Sequence, residues 1–442
     1  MNQNLTKGPV MSSMLRFAVP MILGNLLQQC YNIADTLIVG QFLGANALAA
    51  VGSAFTLMTF LTSILLGLCM GSGNVFSIRF GEQDQKGLKE SVHASLVLIA
   101  CLTILLNVLA FFMLPHIPDL LNVPDEVRGL MDSYLKVIFC GIIATFLYNY
   151  FASFLRAMGN SLIPLIFLGV SAVINIVFDL LFVLILSRGV SGAAEATVVS
   201  QYISGVGITV YVLLHYPDLF SPGNNDKISR RCIREITGFS VLTCAQQSVM
   251  NLGILMVQGL VNSFGPTVMA AFAAAVKIDA FAYMPVQDFG NAFSTFISQN
   301  YGAKKEHRIS KGLKGAVLTT TIFSLSVSSI IWIFACPLME LFVGKNEPSI
   351  VYEGVRYLRI EGAFYVGIGC LFLLYGLYRA LAKPGMSVVL TIISLGTRVL
   401  LAYVLSSIPF IGVVGIWWSV PIGWFLADTV GLLYYIFRKP SV

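Results

Sequence analysis

The sequence predicts an all-α polytopic membrane protein, with twelve transmembrane helices in two pseudo-symmetric six-helix bundles. Its 442 residues are 57% hydrophobic and only 11% charged, with a mean hydropathy of +0.83. Soluble domains carry about a quarter of their residues as charges. Twelve apolar stretches reach the roughly 20 residues that a bilayer core requires. In addition, motifs of the first half recur in the second half at a nearly constant distance along the chain.

Short breaks that carry turn residues or charge separate the predicted spans. Examples are "GEQDQKG" (81–87) and "YPDLFSPGNNDK" (216–227), and no break is long enough for a soluble domain. In chain order the spans lie at 14–39, 47–78, 90–114, 130–155, 162–186, 190–215, 233–261, 267–299, 313–336, 354–380, 385–406 and 411–437.

The positive charges predict the orientation. Most Lys and Arg residues fall in one set of alternate loops, and only Arg128, Arg188 and Lys345 fall in the other set. Cytoplasmic loops are enriched in Lys and Arg. We therefore expect a multi-pass protein of the cytoplasmic (inner) membrane with both termini in the cytoplasm, as an even number of spans requires.

An internal repeat defines the expected domains. "FLRAMGNS" (154–161) aligns with "LYRALAKPGMS" (377–387), and "GVSGAAEAT" (189–197) aligns with "GVVGIWWSV" (412–420), at one common offset. We predict an N-terminal bundle at 1–215, a cytoplasmic linker at 216–232 and a C-terminal bundle at 233–442. Because each repeat has an even number of spans, the bundles should be related by an axis along the membrane normal. A substrate cleft between them is then expected.

Several function classes find no support in the sequence. It contains no phosphate-binding loop of the GxxxxGK[ST] type, no HExxH and no GxSxG. The cysteines form no metal-ligand cluster, and the scattered basic residues need no nucleic acid to explain them. We therefore expect neither an enzyme nor a cofactor, and we expect transport to draw its energy from an ion gradient or from the substrate's own gradient.

Asp35 is the strongest functional candidate. A charged residue at the centre of a membrane helix costs about 2.5–3.5 kcal/mol on insertion scales and normally faces the protein interior. At helical spacing Asp35 shares a face with Gln28, Tyr31 and Asn32. This polar face predicts that Asp35 binds a coupling ion and that its three neighbours line the substrate cleft.

Asp179 is the second candidate. "SAVINIVFDLLFVLIL" places Ser171, Asn175 and Asp179 four residues apart, on one helix face. Amide and carboxylate oxygens suit a proton or a small hard cation such as Na⁺. Thr197, early in the sixth span, can add a hydroxyl group.

The second half carries no acid at the equivalent positions, where the repeat places Gly253, Arg398 and Ala402. The predicted acidic site therefore belongs to the first half. Four further acids in predicted spans of the second half are candidates for lining the substrate cleft: Asp279, Asp288, Glu361 and Asp428.

The chain resembles the multidrug and toxic compound extrusion (MATE) family over essentially its full length. The resemblance lies in "LRAMGNS", "NIVFDLLF", "GVSGAAEAT" and the Pro, Asn, Asp and Gly pattern between residues 20 and 52. It implies two bundles in a V shape that export organic cations in exchange for Na⁺ or H⁺. The family's cation-site residues match Asp35, Asn175, Asp179 and Thr197. One branch of the family carries an extra acidic residue in the seventh helix, and this chain has none there. An ion site in the second half is therefore in doubt, but the acid Glu361 means that such a site is not excluded.

We therefore predict a monomeric secondary active multidrug exporter, surrounded by membrane lipid, that antiports organic drug-like cations against H⁺ or Na⁺. The alternative is a flippase of lipid-linked precursors with the same two-bundle plan. Flippases of this kind often have fourteen spans and a more cationic cleft, so twelve spans and acidic residues favour the exporter.

Overall fold

A computed structural model describes residues 4–120, 123–220, 228–344 and 347–437. Within these ranges the regular structure is helical, without strands. The helices are α1 (Val10–Leu43), α2 (Ala45–Glu82), α3 (Gln85–Met113), α4 (Ile117–Leu120), α5 (Asp125–Cys140), α6 (Ile142–Ala157), α7 (Leu162–Asp179), α8 (Gly189–His215), α9 (Pro217–Phe220), α10 (Arg230–Asn262), α11 (Pro266–Gly302), α12 (Glu306–Val343), α13 (Pro348–Gly362), α14 (Tyr365–Ala380), α15 (Pro384–Ser406) and α16 (Val413–Phe437).

The described helices include ten stretches long and apolar enough to cross a membrane, and they provide twelve spans when each of two bent helix pairs is counted as one. Ten are single helical stretches, and two are bent pairs: α5 with α6 at 43°, and α13 with α14 at 52°. The predicted fold class is thus confirmed. The bends lie inside stretches that the sequence analysis predicts as unbroken spans, at 130–155 and 354–380. They fall at equivalent places in the two repeats, which supports the internal symmetry.

Gly141 lies at the first bend. A Cβ atom at this position would lie 2.7 Å from Oε1 of Gln201 and 3.0 Å from Cγ2 of Val198, so the α5–α6 junction packs closely against α8. The bend frees the carbonyl of Cys140, which accepts a hydrogen bond of 2.9 Å from the hydroxyl of Tyr202. A membrane helix tolerates such a break only where a neighbour satisfies the freed backbone group.

The helices bury many small and polar residues and expose many large apolar ones. In α3 the buried face carries Ser91, Ser95 and Thr103, while Leu105 and Phe112 are 62% and 73% exposed. Lipid is as apolar as these side chains, so helix association depends on close packing and hydrogen bonds rather than on hydrophobic burial.

The chain divides into two compact units. One contains Val19–Cys244, and the other contains Leu5–Ala18 together with the chain from Ala245 onward. The beginning of α1 is thus grouped with the second unit, and the beginning of α10 with the first. The domain limits 1–215, 216–232 and 233–442 stay a prediction, and 221–227 of the predicted linker lie outside the described residues.

In the first unit, glycines of α2 allow α10 to pack closely. A Cβ atom would lie 2.5 Å from Cα of Cys244 if placed on Gly67, and 2.5 Å from the carbonyl oxygen of Phe239 if placed on Gly71. Two glycines four residues apart are a common device for close helix packing in membranes. The hydroxyl groups of Ser72 and Ser240 form a buried hydrogen bond of 2.8 Å beside them.

In the second unit, an aromatic cluster joins α11, α13 and α16. Phe272 stacks on Trp417 with ring centroids 5.5 Å apart, and Tyr357 meets Trp417 edge-on at 5.0 Å. Offset-stacked and edge-on arrangements are the favoured aromatic geometries. The cluster fixes Tyr357 next to the buried acids of this unit.

Candidate functional site

The carboxyl groups of Asp35 on α1 and Asp179 at the end of α7 lie within hydrogen-bonding reach of each other. Asp179 is fully buried, and Asp35 is partly buried. Two carboxylates cannot hydrogen-bond to each other, because both only accept. A proton on either one would join them.

Asn175 and Thr197 line the same site. Asn175 lies one helical turn before Asp179 and is 1% exposed. Its Nδ2 donates a hydrogen bond of 3.3 Å to the hydroxyl of Thr197 on α8. One turn earlier, the hydroxyl of Ser171 donates to the carbonyl of Ser200 at 3.0 Å and so holds α7 against α8.

Four oxygens of this site are inaccessible and without a hydrogen-bond partner in the described part of the chain. They are Oδ1 of Asp35, Oδ1 of Asn175 and both carboxylate oxygens of Asp179. Buried polar oxygens without donors are unfavourable, and carboxylates are the most unfavourable of them. The donor set therefore fits a proton or a small hard cation, which would satisfy these oxygens together.

Two tyrosines border the acid pair. Tyr31 hydrogen-bonds to Gln28 and interacts electrostatically with both carboxyl groups. Tyr134 on α5 is 7% exposed and lies within electrostatic range of the same groups. Tyr134 was not predicted from the sequence, because its neighbours follow an ordinary apolar helix face and only the hydroxyl distinguishes it. Asn32, partly buried on the preceding turn, keeps its predicted place on the Asp35 face.

The helix type changes directly after Asp179. Leu180–Ile185 form a π-helix, and the N–H of Leu186 donates to the carbonyl of Leu181 at 2.9 Å. π-turns inside α-helices occur frequently at functional sites. In the second half, α15 continues as an α-helix past Ala402, the equivalent of Asp179, to Ser406. The acid and the unusual winding thus occur together in the first half.

The second unit contains its own pair of buried acids, Asp279 on α11 and Glu361 on α13. The hydroxyl of Tyr365 donates to Oδ1 of Asp279 at 2.5 Å, and that of Tyr357 donates to Oε2 of Glu361 at 2.9 Å. The two carboxyl groups are themselves within hydrogen-bonding reach of each other. Both residues are candidates from the sequence alone, but the contact between them was not predicted.

A positive charge compensates this second pair. Arg398 on α15 interacts electrostatically with both Asp279 and Glu361, and it stands where the repeat places Asn175 in the first half. Asp288 is buried further along α11, whereas Lys277, two residues before Asp279, is exposed. The two acid pairs therefore differ: among the described residues, tyrosine hydroxyls donate to the second pair and an arginine interacts with it, whereas the first pair has neither a tyrosine donor nor an arginine.

A family model described as MatE matches residues 20–181 and 240–404, which is more than half of the chain. The chain belongs to the MatE family. It is accordingly a multi-pass membrane transporter of the multidrug efflux family rather than an enzyme, and the resemblance recorded from the sequence is confirmed.

Curated relatives match this MatE protein over most or nearly all of its length. A probable multidrug resistance protein, YpnP of Bacillus subtilis, is 30% identical over 438 residues, covering 99% of this chain and 97% of the relative. An FAD transporter of Shewanella oneidensis is 23% identical over 399 residues, covering 88% of this chain. The multidrug relatives do not favour the flippase alternative.

Solved structures share the fold. A structure described as the outward-facing conformation of a multidrug resistance MATE family transporter superposes with a TM-score of 0.90, at 24% identity, over 99% of this chain and 98% of that chain. At this identity the similarity concerns the fold. The roles of individual site residues therefore rest on the geometry of this chain.

Proposed function

We propose that this MatE protein is a secondary active exporter that antiports drug-like organic cations against H⁺ or Na⁺. The observation that carries the proposal is the pair Asp35 and Asp179, two neighbouring carboxyl groups with buried oxygens that no described donor satisfies. An acid inside a membrane protein is by default a functional residue.

The ion would be held by residues of three helices. Asp35 and Asp179 supply negative charge, and Oδ1 of Asn175 and the hydroxyl of Thr197 supply neutral oxygens. When the ion is bound, it neutralises the repulsion between the two carboxylates and draws α1 toward α7. Its departure restores the repulsion, which is strong in a site of low dielectric constant. Ion binding can thus bias the position of α1, as coupling between two sites requires.

The second acid pair is less suited to a coupling ion. Two hydroxyl groups already donate to its carboxylates, and Arg398 lies within electrostatic range. A cation that entered this cluster would meet the positive charge of Arg398. We therefore assign the coupling ion to the first unit and a structural role to Asp279 and Glu361.

The proposed setting is the inner membrane, with both termini cytoplasmic, because Lys and Arg are concentrated in alternate loops. We propose a monomer that needs no cofactor besides the coupling ion. The candidates for contact with the organic cation are Gln28, Tyr31 and Asn32 of the first unit and Asp288 of the second.

The test is transport in proteoliposomes that carry an H⁺ gradient or a Na⁺ gradient, each imposed separately. Ethidium efflux should follow one of the gradients in the wild type and be lost in Asp35→Asn. The control is Asp125→Asn, since the side chain of Asp125 is 93% exposed. Full efflux by Asp35→Asn would refute the assigned role, and translocation of a fluorescent lipid without ethidium efflux would favour a flippase.

A further inference from the structure

A short segment before α1 is bound by its main chain. Residues 5–8 lie in the second unit, against the end of α11 and the beginning of α12. We call the four side chains that bind this segment the N-terminal clamp: Gln299, Asn300, Lys305 and Arg308.

Arg308 makes half of the clamp's hydrogen bonds to the segment. Its Nη1 donates to the carbonyl of Gly8 at 2.7 Å, and its Nη2 donates to the carbonyls of Leu5 and Lys7 at 2.9 and 3.2 Å. Its Nε donates to Oδ1 of Asn300 at 3.0 Å, which orients the guanidinium group. In the described chain no carboxylate pairs with Arg308, so neutral carbonyl groups are its partners.

The remaining clamp residues complete the binding of the segment. Nδ2 of Asn300 donates to the carbonyl of Leu5 at 3.2 Å, and Nζ of Lys305 donates to that of Thr6 at 2.8 Å. The N–H of Leu5 donates to Oε1 of Gln299 at 3.2 Å. Leu5 and Thr6 are 0% and 8% exposed, so the segment is seated in the protein rather than lying on its surface.

The beginning of α10 is held in a related way in the first unit. Nη2 of Arg79 pairs with Oε2 of Glu235 at 2.6 Å, beside the close packing of α10 on Gly67 and Gly71 of α2. The junctions of α2 with α3 and of α11 with α12 are equivalent in the repeat. Each unit therefore holds the beginning of a helix whose remainder belongs to the other unit.

Helices α1 and α10 each pass from one unit to the other without a break in the helix. The change occurs between Ala18 and Val19 in α1 and between Cys244 and Ala245 in α10. A continuous helix cannot lengthen. If the units move, either the helix bends or its anchored end must come free.

We propose that the N-terminal clamp is a latch that releases the segment 5–8 and binds it again in each transport cycle. This inference rests on the proposed transport function. The clamp lies at helix ends where Lys304, Glu306 and His307 are exposed to solvent. Water can replace bonds between charged donors and neutral carbonyls, whereas a backbone bond broken inside a span must find a new partner within the protein.

Cysteine labelling tests the release directly. In a full-length background without native cysteines, Thr6→Cys should react with a water-soluble maleimide at least tenfold faster during turnover than without a gradient. Thr320→Cys is the matched control, because Thr320 is 4% exposed within α12, and its labelling should stay slow in both conditions. Equal, slow labelling of Thr6→Cys in both conditions would contradict the latch.

Cross-linking tests whether release is required. Thr6→Cys with Lys305→Cys, joined by a short disulfide-forming reagent, should lose ethidium efflux and regain it after reduction. The controls are the two single variants treated with the same reagent. Unchanged efflux by the cross-linked protein would mean that α1 bends instead, and would overturn the latch. Absence of efflux by the wild type in the same vesicles would count against the antiport function, whereas efflux by the wild type together with unchanged efflux by the cross-linked protein would count against the latch alone.

Discussion

Asp35 and Asp179 meet in the first unit although more than a hundred residues separate them along the chain. Neither residue has an arginine or a tyrosine hydroxyl as a hydrogen-bonding partner in the described chain, in contrast to Asp279 and Glu361. The first pair is therefore held together without internal compensation. Such a pair gains stability when a ligand neutralises it.

Replacing Asp179 by a neutral residue should abolish ion-driven transport without lowering the stability of the fold. Asp179→Asn removes the repulsion and gives Asp35 an amide donor, so we expect an unchanged or higher melting temperature together with loss of ion-driven efflux. A ligand at 100 times its dissociation constant stabilises the folded state by about 2.7 kcal/mol. The coupling ion should accordingly stabilise the wild type but not Asp179→Asn. Thermal unfolding in detergent, with and without the ion, measures both effects.

Removal of the Asn175 amide should weaken ion binding without stopping the transport step. Asn175→Ala loses a buried oxygen of the site and the bond to Thr197. We expect the ion concentration for half-maximal efflux to rise about tenfold, which corresponds to about 1.4 kcal/mol, with the maximal rate retained. Because the two residues are bonded to each other, Asn175→Ala and Thr197→Val should be less than additive. Additive effects would show that the two residues act independently.

Arg398 should contribute to stability as long as both acids of the second unit are present. Arg398→Leu removes the positive charge that interacts electrostatically with Asp279 and Glu361. Because Arg398 is partly buried and interacts with the acids without a direct ion pair in the described chain, we expect a loss smaller than the roughly 3–5 kcal/mol of a broken buried ion pair. Adding Glu361→Gln should restore most of the stability. If the double variant is as unstable as Arg398→Leu, the arginine acts through other contacts.

The packing of α10 on α2 should be sensitive to one methyl group. Gly71→Ala would bring a Cβ atom to 2.5 Å from the carbonyl oxygen of Phe239, and overpacking of this kind costs about 1–3 kcal/mol. Gly238→Ala is the matched control, because nothing lies within 4 Å of the added atom. Denaturation of both variants in the same detergent compares them. Equal stabilities would mean that α10 can shift without loss.

The features that depend on local helical periodicity could be predicted from the sequence. Asp35 and Asp179 could be assigned to polar helix faces because helical spacing and the cost of a charge in lipid leave few alternatives. The twelve spans and the repeat were likewise predictable from composition and motif spacing.

Features that depend on tertiary packing were not predictable in this way. Tyr134 lies in an ordinary apolar pattern, and the meeting of Asp279 with Glu361 depends on how α11 packs against α13. The bend at Gly141 lies where the α5–α6 junction packs closely against another helix, α8. The binding of residues 5–8 by Arg308 joins opposite ends of the sequence, and no local pattern indicates it.

The π-helix after Asp179 has a consequence for how the two repeats diverge. Residues 180–189 and 403–412 are equivalent and equal in number, yet the first stretch is wound as a wide turn and the second begins as regular helix. The two halves therefore differ here in winding and not in length. A repeat protein can in this way give one copy a new local geometry by point substitutions alone, with every later residue of the repeat still in register.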